Sequence, residues 1–249
     1  MLAEDRFSKI LELLERNKSI TVQELTEVLD TSESTIRRDL TELHRQGRLY
    51  KVHGGATVRD YHYAAKDDSV AEREDVNREE KQRIAAYAAS LIRPDDFVFL
   101  DAGTTTGQMI DCLTERRAVY VTNAVYHGVK LMKLGFRTFL IGGELKGSTE
   151  AVVGAAAVKS LESYNFTKGF FGANGVSLDR GYTTPDINEA LTKETAISRC
   201  RQAYVLCDAS KFGCISPVRF ASFGEAVAIT SKAEEEYRGC GNLVEVDNL

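Results

Sequence analysis

Between Phe97 and the end of the chain, seven short apolar runs recur, each too short for a helix. They are Phe97-Val-Phe-Leu100, Val119-Tyr-Val121, Thr138-Phe-Leu-Ile141, Gly169-Phe-Phe171, Tyr204-Val-Leu206, Ala226-Val-Ala-Ile229 and Leu243-Val-Glu-Val246. Most of these runs lack polar alternation and so predict strands buried on both faces, as in a parallel sheet covered by helices. Helical stretches lie between them. The first runs from Asn77 through Ile84, Ala85, Ala88, Leu91 and Ile92 and stops before Pro94. A parallel α/β domain is therefore predicted for 77–249.

The turns after the runs carry the chemistry. Asp101-Ala-Gly-Thr-Thr-Thr106, Thr122-Asn123, Gly142-Gly143-Glu144, Gly172-Ala-Asn174 and Asp208-Ala-Ser-Lys211 place polar groups and glycines at the strands' carboxyl ends. That edge of an open parallel sheet is where ligands bind, so five segments point at one crevice. Gly103, Thr104, Thr105 and Thr106 offer backbone N–H groups, hydroxyls and a helix start to a phosphate. Lys211 adds a cation, and Asp101 and Glu144 can accept hydrogen bonds from sugar hydroxyls. The expected ligand set is thus Asp101, Gly103 to Thr106, Thr122, Asn123, Gly142, Gly143, Glu144, Gly172, Asn174, Asp208 and Lys211. Residues 142–149 are not a nucleotide-phosphate loop, because Lys146-Gly-Ser148 reverses the order Gly-Lys-Ser that such a loop requires. No Gly-x-Gly-x-x-Gly occurs either, so a small phosphorylated ligand is expected, with no dinucleotide cofactor.

The first 58 residues read as a separate unit. Phe7, Ile10, Leu11, Leu13 and Leu14 predict a helix over about 3–16, and Thr21-Val-Gln-Glu24 is a capping box with Leu25, Val28 and Leu29 as the buried stripe behind it. A third helix is capped by Thr31 or Ser32 and buries Ile36, Leu40 and Leu43 until Gly47 stops it. At 100° per residue, Ser34, Arg38 and Thr41 then face outward, with Thr35 and Arg37 beside them. Arg48-Leu-Tyr-Lys-Val-His-Gly-Gly55 alternates like a small hairpin, so the unit reads as a winged helix-turn-helix. Its expected DNA contacts are Ser32, Ser34, Thr35, Arg37, Arg38, Thr41, Arg48, Lys51 and His53, short hydroxyls and cations suited to phosphates and base edges. Asp39 is expected to pack or cap instead.

Charge supports this division. The formal net charge is −5, yet residues 35–59 carry Arg37, Arg38, Arg45, Arg48, Lys51 and Arg59 against Asp39 and Glu42 only. A basic stripe in an acidic chain fits a small surface facing double-stranded DNA. Residues 59–76 are acidic and aperiodic and are expected to form a linker. With 43% hydrophobic and 28% charged residues the composition is that of a globular protein, and disorder is excluded. No apolar run approaches the ~18 residues of a membrane helix, and Glu4 and Asp5 stand where a secretory signal would be basic, so a cytoplasmic protein without a membrane partner is expected. Five cysteines without a Cys-x-x-Cys predict reduced thiols, and His44, His53 and His62, nine residues apart, match no metal-ligand spacing. No metal is expected.

These stretches together resemble the DeoR family of bacterial sugar-metabolism repressors. The resemblance is carried by Thr31-Ser-Glu-Ser-Thr-Ile-Arg-Arg-Asp-Leu40, Val52-His-Gly-Gly-Ala56, Asp101 to Thr106, Val121-Thr-Asn123, Gly142-Gly143, Phe171-Gly-Ala-Asn-Gly-Val176, Glu189-Ala-Leu-Thr-Lys193 and Asp208-Ala-Ser-Lys-Phe-Gly213. It implies that the large domain has the fold shared by ribose-5-phosphate isomerase and glucosamine-6-phosphate deaminase, used as a sensor. It also implies that the glycine-threonine loop holds phosphate and that Lys193 and Lys211 are the family's lysines. Thr167 departs from the pattern, standing where many members have Asp. Ser148-Thr-Glu-Ala151, Gly154-Ala155 and Thr183-Thr-Pro-Asp186 look most like fructose-operon repressors, which implies fructose 1-phosphate as effector and a homo-oligomer, dimer or tetramer, on operator DNA. Two rival readings stand beside this one. The first is a sugar-phosphate isomerase or deaminase with Asp101, Glu144, Asp186 or Glu189 as base, and the second is an activator insensitive to metabolites.

Overall fold

All seven apolar runs fall on strands of one sheet. The computed structural model describes residues 3–17, 19–45, 48–52, 54–57, 62–63, 69–233 and 235–248. The chain divides into two units, Met1–Tyr61 and His62–Leu249. In the larger unit the strand order is Leu243–Glu245, Val227–Thr230, Cys200–Leu206, Phe166–Gly172, Phe97–Leu100, Val119–Thr122, Arg137–Leu140, and every neighbouring pair is parallel. Successive side chains of a strand point to opposite faces. Val98 and Leu100 accordingly pack with Tyr120, Phe170, Leu206 and Ile229 on one side, under Ile84, Ala85 and Ala88 of the Arg78–Ser90 helix. Phe99 packs with Val121, Phe171 and Val205 on the other, with Ala190 and Ala196 of the Ile187–Ser198 helix.

The strand order positions the site. The chain builds outward from Phe97–Leu100 to Arg137–Leu140, then returns to lay Phe166–Gly172 along the other side of Phe97–Leu100 and builds outward the opposite way. The connections leaving those two neighbouring strands diverge, and the crevice a parallel sheet offers to ligands opens between them. Asp101 and Gly172 stand at its two lips.

Smaller antiparallel pieces, unread in the sequence, cover the ends of the sheet. They are the Glu144–Lys146 and Ala151–Val153 hairpin and the three strands Gly175–Ser177, Gly181–Thr184 and Val218–Ala221. Gly181 is required in the second piece: its φ is +72°, and a Cβ there would lie 2.2 Å from the Ala221 carbonyl oxygen. Within 59–76, expected to be linker, His62–Tyr63 pairs in parallel with Cys214–Ile215, and Val70–Glu74 is a helix capped by Ser69. Both belong to the larger unit. Thr167 lies near the amino end of its strand, where its hydroxyl donates to Asp96 (2.7 Å) and accepts from the Phe97 N–H (3.0 Å). It serves the sheet and does not line the crevice.

The smaller unit has three helices, Ala3–Asn17, Val22–Leu29 and Glu33–Arg45, and the hairpin Tyr50–Val52 with Gly55–Thr57. The capping box forms as read: the Thr21 hydroxyl accepts from the Glu24 N–H, and the Glu24 carboxylate accepts from the Thr21 N–H. Ile10, Leu14, Leu25, Leu29, Ile36, Leu40 and Leu43 make one core. Val28, expected inside, is 61% exposed. Val22, Leu25 and Leu29 define the buried face of that helix, and at 100° per residue Val28 points about 90° away from its centre. The third strand of the sheet, Ser19–Thr21, is not legible in the sequence, because its single exposed-buried-exposed alternation is too short to stand out as a pattern. It pairs with Gly55–Thr57, and Gly55 permits the approach: a Cβ there would lie 2.3 Å from the Ile20 carbonyl oxygen. Gly47, His53 and Arg59 lie outside the described residues.

Candidate functional site

In the smaller unit the Glu33–Arg45 helix turns Ile36, Leu40 and Leu43 wholly inward, which leaves Ser34, Arg37, Arg38 and Thr41 on its exposed face. Ser32 precedes the helix, accepts from the Thr35 N–H (3.3 Å) and bonds the Ser34 and Thr35 hydroxyls. Thr35 is half-buried. Arg37 is held by Glu33 at 2.5 Å, a surface pair one turn apart, whereas Arg38 forms no ion pair among the described residues. From the hairpin Lys51 reaches the Thr41 hydroxyl (2.7 Å), joining the wing to the helix, and Arg48 is exposed beside it. Asp39 faces the other way. It accepts two hydrogen bonds from the Arg6 guanidinium, at 2.6 and 3.0 Å, and so ties the first helix to the third.

In the larger unit the crevice gathers Asp101, Gly103, Thr104, Thr105 and Asn123 from one lip, with Gly172, Asn174, Lys193, Asp208 and Lys211 from the other. Lys193 forms a buried ion pair with Asp101 and also donates to the Gly172 carbonyl (3.0 Å). Asp101 accepts from the Ala102 and Gly172 N–H groups as well (2.7 and 2.9 Å), so one carboxylate bridges the two strand ends. Asn123 is buried, and its carbonyl oxygen has no hydrogen-bond partner among the described residues. Asp208 accepts from Asn77 (2.9 Å) and from the Ser210 N–H (3.1 Å).

Five expected residues do not line the crevice. The Thr106 hydroxyl is turned inward on the carbonyls of Asp101 and Gly103, both at 2.7 Å, and closes the turn. Thr122 is fully buried and accepts from the Ala124 N–H (3.0 Å). Gly142, Gly143 and Glu144 lead into the Glu144–Lys146 strand, and what that hairpin delivers to the crevice is Thr149.

Five further polar side chains line the crevice that the ligand set read from the strand ends omitted: Glu72, Arg73, Lys81, Thr149 and Glu189. Glu189 accepts from Thr149 (2.5 Å), Lys146 (3.2 Å) and Thr184 (3.3 Å). Lys146 also pairs with Asp186, and despite partial burial the backbone N–H groups of the helix start and this lysine hold the Asp186 carboxyl below the usual range. Lys81 is buried, and its ammonium donates to the Arg73 carbonyl. A signal for it was present: Lys81 stands three and four residues before Ile84 and Ala85, in phase with their buried stripe. Burial lowers its pKa; Asp208 opposes that effect, while Lys211 and Arg73 reinforce it.

Comparison with known proteins follows the same division. Residues 6–61 match the model of the DeoR-like helix-turn-helix domain, and residues 76–232 that of the DeoR C terminal sensor domain. The chain is 42% identical over 237 residues to the uncharacterized HTH-type transcriptional regulator FruR of Bacillus subtilis, covering 94% of this chain and 93% of that one. It is 37% identical over 212 residues to the lactose phosphotransferase system repressor of Staphylococcus epidermidis, covering 84% of each. Among solved structures it is similar to ribose 5-phosphate isomerase A of Methanocaldococcus jannaschii, at 16% identity and a TM-score of 0.41 over 55% of each chain. With a head that reads as a winged helix-turn-helix, a crevice at the sheet's switch point and matches along nearly its whole length, the chain belongs to the DeoR family of sugar-operon transcriptional repressors.

Proposed function

We propose that the protein, as a homo-oligomer in the cytoplasm, holds repeated operator half-sites with its helix-turn-helix units and releases them when a phosphorylated sugar fills the crevice. The observation that carries this reading is the crevice itself, which combines Arg73, Lys81 and Lys211, none of them in an ion pair among the described residues, with a buried acceptor on Asn123 that has no hydrogen-bond partner there. Cations suit a phosphoryl group and the amide oxygen suits a sugar hydroxyl. Fructose 1-phosphate is the effector we favour, on the likeness of 148–155 and 183–186 to fructose-operon repressors. A ligand shifts an equilibrium only by its difference in affinity for the two states, and a hundredfold loss of DNA affinity requires about 2.7 kcal/mol of coupling.

The crevice is read as a sensor and not as an enzyme's site because its carboxylates are engaged. A general base must be able to reach the proton it abstracts, and donors already bonded to a carboxylate hold it in place. Asp101 is held by Lys193 and two N–H groups, Glu189 by three donors, and Asp186 is pushed below the usual range. Glu144 lies off the crevice.

The test is a thermal-shift screen of the purified chain against sugar phosphates, followed by titration of its own promoter DNA with and without the stabilising compound. A rise in melting temperature with loss of DNA binding is expected. Turnover of the sugar phosphate would favour the enzyme, and DNA binding that no sugar phosphate alters would favour the insensitive activator.

A further inference from the structure

Arg73, Lys81 and Lys211 face one crevice, and none of the three forms an ion pair among the described residues. The carboxylates around them already have partners: Glu72 accepts from Ser69, Asp101 pairs with Lys193, Glu189 with Lys146, and Asp208 accepts from Asn77 and Ser210. A terminal nitrogen of Arg73 is buried with no hydrogen-bond partner among the described residues. A buried guanidinium nitrogen without an acceptor is costly, and like charges gathered beside it add repulsion. One added anion relieves both. At Lys81 burial disfavours the charged form most; Asp208 opposes this, and Lys211 and Arg73 add to it.

The glycine-threonine turn is less well equipped. The Thr106 hydroxyl is committed to the Asp101 and Gly103 carbonyls, and Thr105 is buried. We propose that the phosphoryl group of the ligand is held by Arg73, Lys81 and Lys211, and that Arg73 makes the segment following the amino-terminal unit part of the ligand's grip. This rests on the reading of the crevice as a sugar-phosphate site.

The second half of the proposal follows from connectivity. Arg73 belongs to the Val70–Glu74 helix, the first helix after Tyr61, where the smaller unit ends. Its Nε donates to the Ser69 carbonyl at 3.4 Å, and its own carbonyl receives the Lys81 ammonium. The Val70 N–H donates to the Ser148 carbonyl at 3.3 Å. An anion that draws in the Arg73 guanidinium therefore acts on the piece of chain that continues to the head.

The experiment compares wild type with Arg73→Gln, Arg73→Lys, Lys211→Met and Thr104→Val. Each is titrated with inorganic phosphate and with fructose 1-phosphate by calorimetry, and the DNA dissociation constant is measured with and without saturating fructose 1-phosphate. Expected are a tenfold or greater loss of affinity for both anions in R73Q and K211M, partial recovery in R73K, and a smaller loss in T104V. At saturation, the ratio of DNA dissociation constants should collapse in R73Q and persist in K211M. Should R73Q fail to fold, as judged by circular dichroism, K211M carries the prediction for the anion site, and R73K carries that for the coupling ratio, expected below wild type. Wild-type phosphate affinity in R73Q and K211M together with its loss in T104V overturns the proposal and leaves the sugar-phosphate reading standing. A wild type that binds neither anion overturns the proposal, and one that ignores a wider panel of sugar phosphates overturns the underlying reading as well.

Discussion

Lys193, on the Ile187–Ser198 helix, reaches across the sheet's carboxyl edge to form a buried ion pair with Asp101, the residue that ends the Phe97–Leu100 strand. The lysine side chain is 9% exposed and the aspartate 4%. Breaking such a pair from one side strands a charge in a low-dielectric setting, which costs about 3 kcal/mol or more. Lys193→Met should therefore lower stability by about 3 kcal/mol in urea titration, and the double substitution with Asp101→Asn should cost less than the sum of the singles. Additive losses would show that the two residues do not act as a pair.

On the smaller unit, Arg38 should matter more to DNA than Arg37. Arg38 is exposed and free of any ion pair among the described residues, whereas Arg37 is held by Glu33. Arg38→Ala should weaken operator binding roughly tenfold and leave sugar-phosphate affinity unchanged. Glu33→Gln should tighten DNA binding by about twofold at low salt, since an exposed pair of this kind is worth ~0.5 kcal/mol or less. Fluorescence anisotropy over a salt series reads both effects.

His127 gives the larger unit an acid-sensitive point. Burial holds its pKa at about 4, against an ordinary 6.5; the nearby Asp101 charge and carbonyl work in the opposite sense, and Lys130 adds to the lowering. Its Nδ1 has no hydrogen-bond partner among the described residues. Between pH 6.5 and 4 the unfolded chain takes up a proton that the folded chain refuses, so stability is full above 6.5 and falls as the pH drops through this window. From pH 7 to 5 the loss attributable to this residue is on the order of 2 kcal/mol. Urea midpoints of wild type and His127→Gln should converge as the pH falls from 7 to 5, and parallel curves would refute the assignment.

Ligand affinity should depend on pH through Lys81. Its charged form attracts an anion, and burial, with Lys211 and Arg73, lowers its pKa against the pull of Asp208 and Glu80. Anion affinity is then present at neutral pH and is lost on the alkaline side sooner than an ordinary lysine near 10.4 would allow. A phosphate monoester also gains its second charge near pH 6, which strengthens binding as the pH rises through that value. Calorimetric affinity for fructose 1-phosphate should thus be bell-shaped between pH 5 and 10, and a flat alkaline limb would argue against Lys81.

The parts legible in the sequence were those dictated by local pattern. Runs such as Phe97–Leu100 and Val119–Thr122 announce buried strands because every residue in them must avoid water. The Thr21–Glu24 box and the Ile36, Leu40, Leu43 seam announce helices because their partners lie three or four residues away. Lys211 was legible at a strand's carboxyl end, Lys193 was named only through resemblance, and Arg73 was missed altogether, standing in a stretch that reads as linker. Glu144 was misplaced because its strand carries it off the crevice.

The chain by itself determined its two units, its strands and helices, and the outward face of the Glu33–Arg45 helix, since each follows from hydrophobic spacing over a few residues. Tertiary structure alone decided that Asp101 meets Lys193, and that Arg73 and Lys81 join Lys211 around one crevice. Residues as far apart in the chain as Arg73 and Lys211 come together there because the sheet reverses its direction of growth between Phe97–Leu100 and Phe166–Gly172, and no local pattern encodes where that reversal falls.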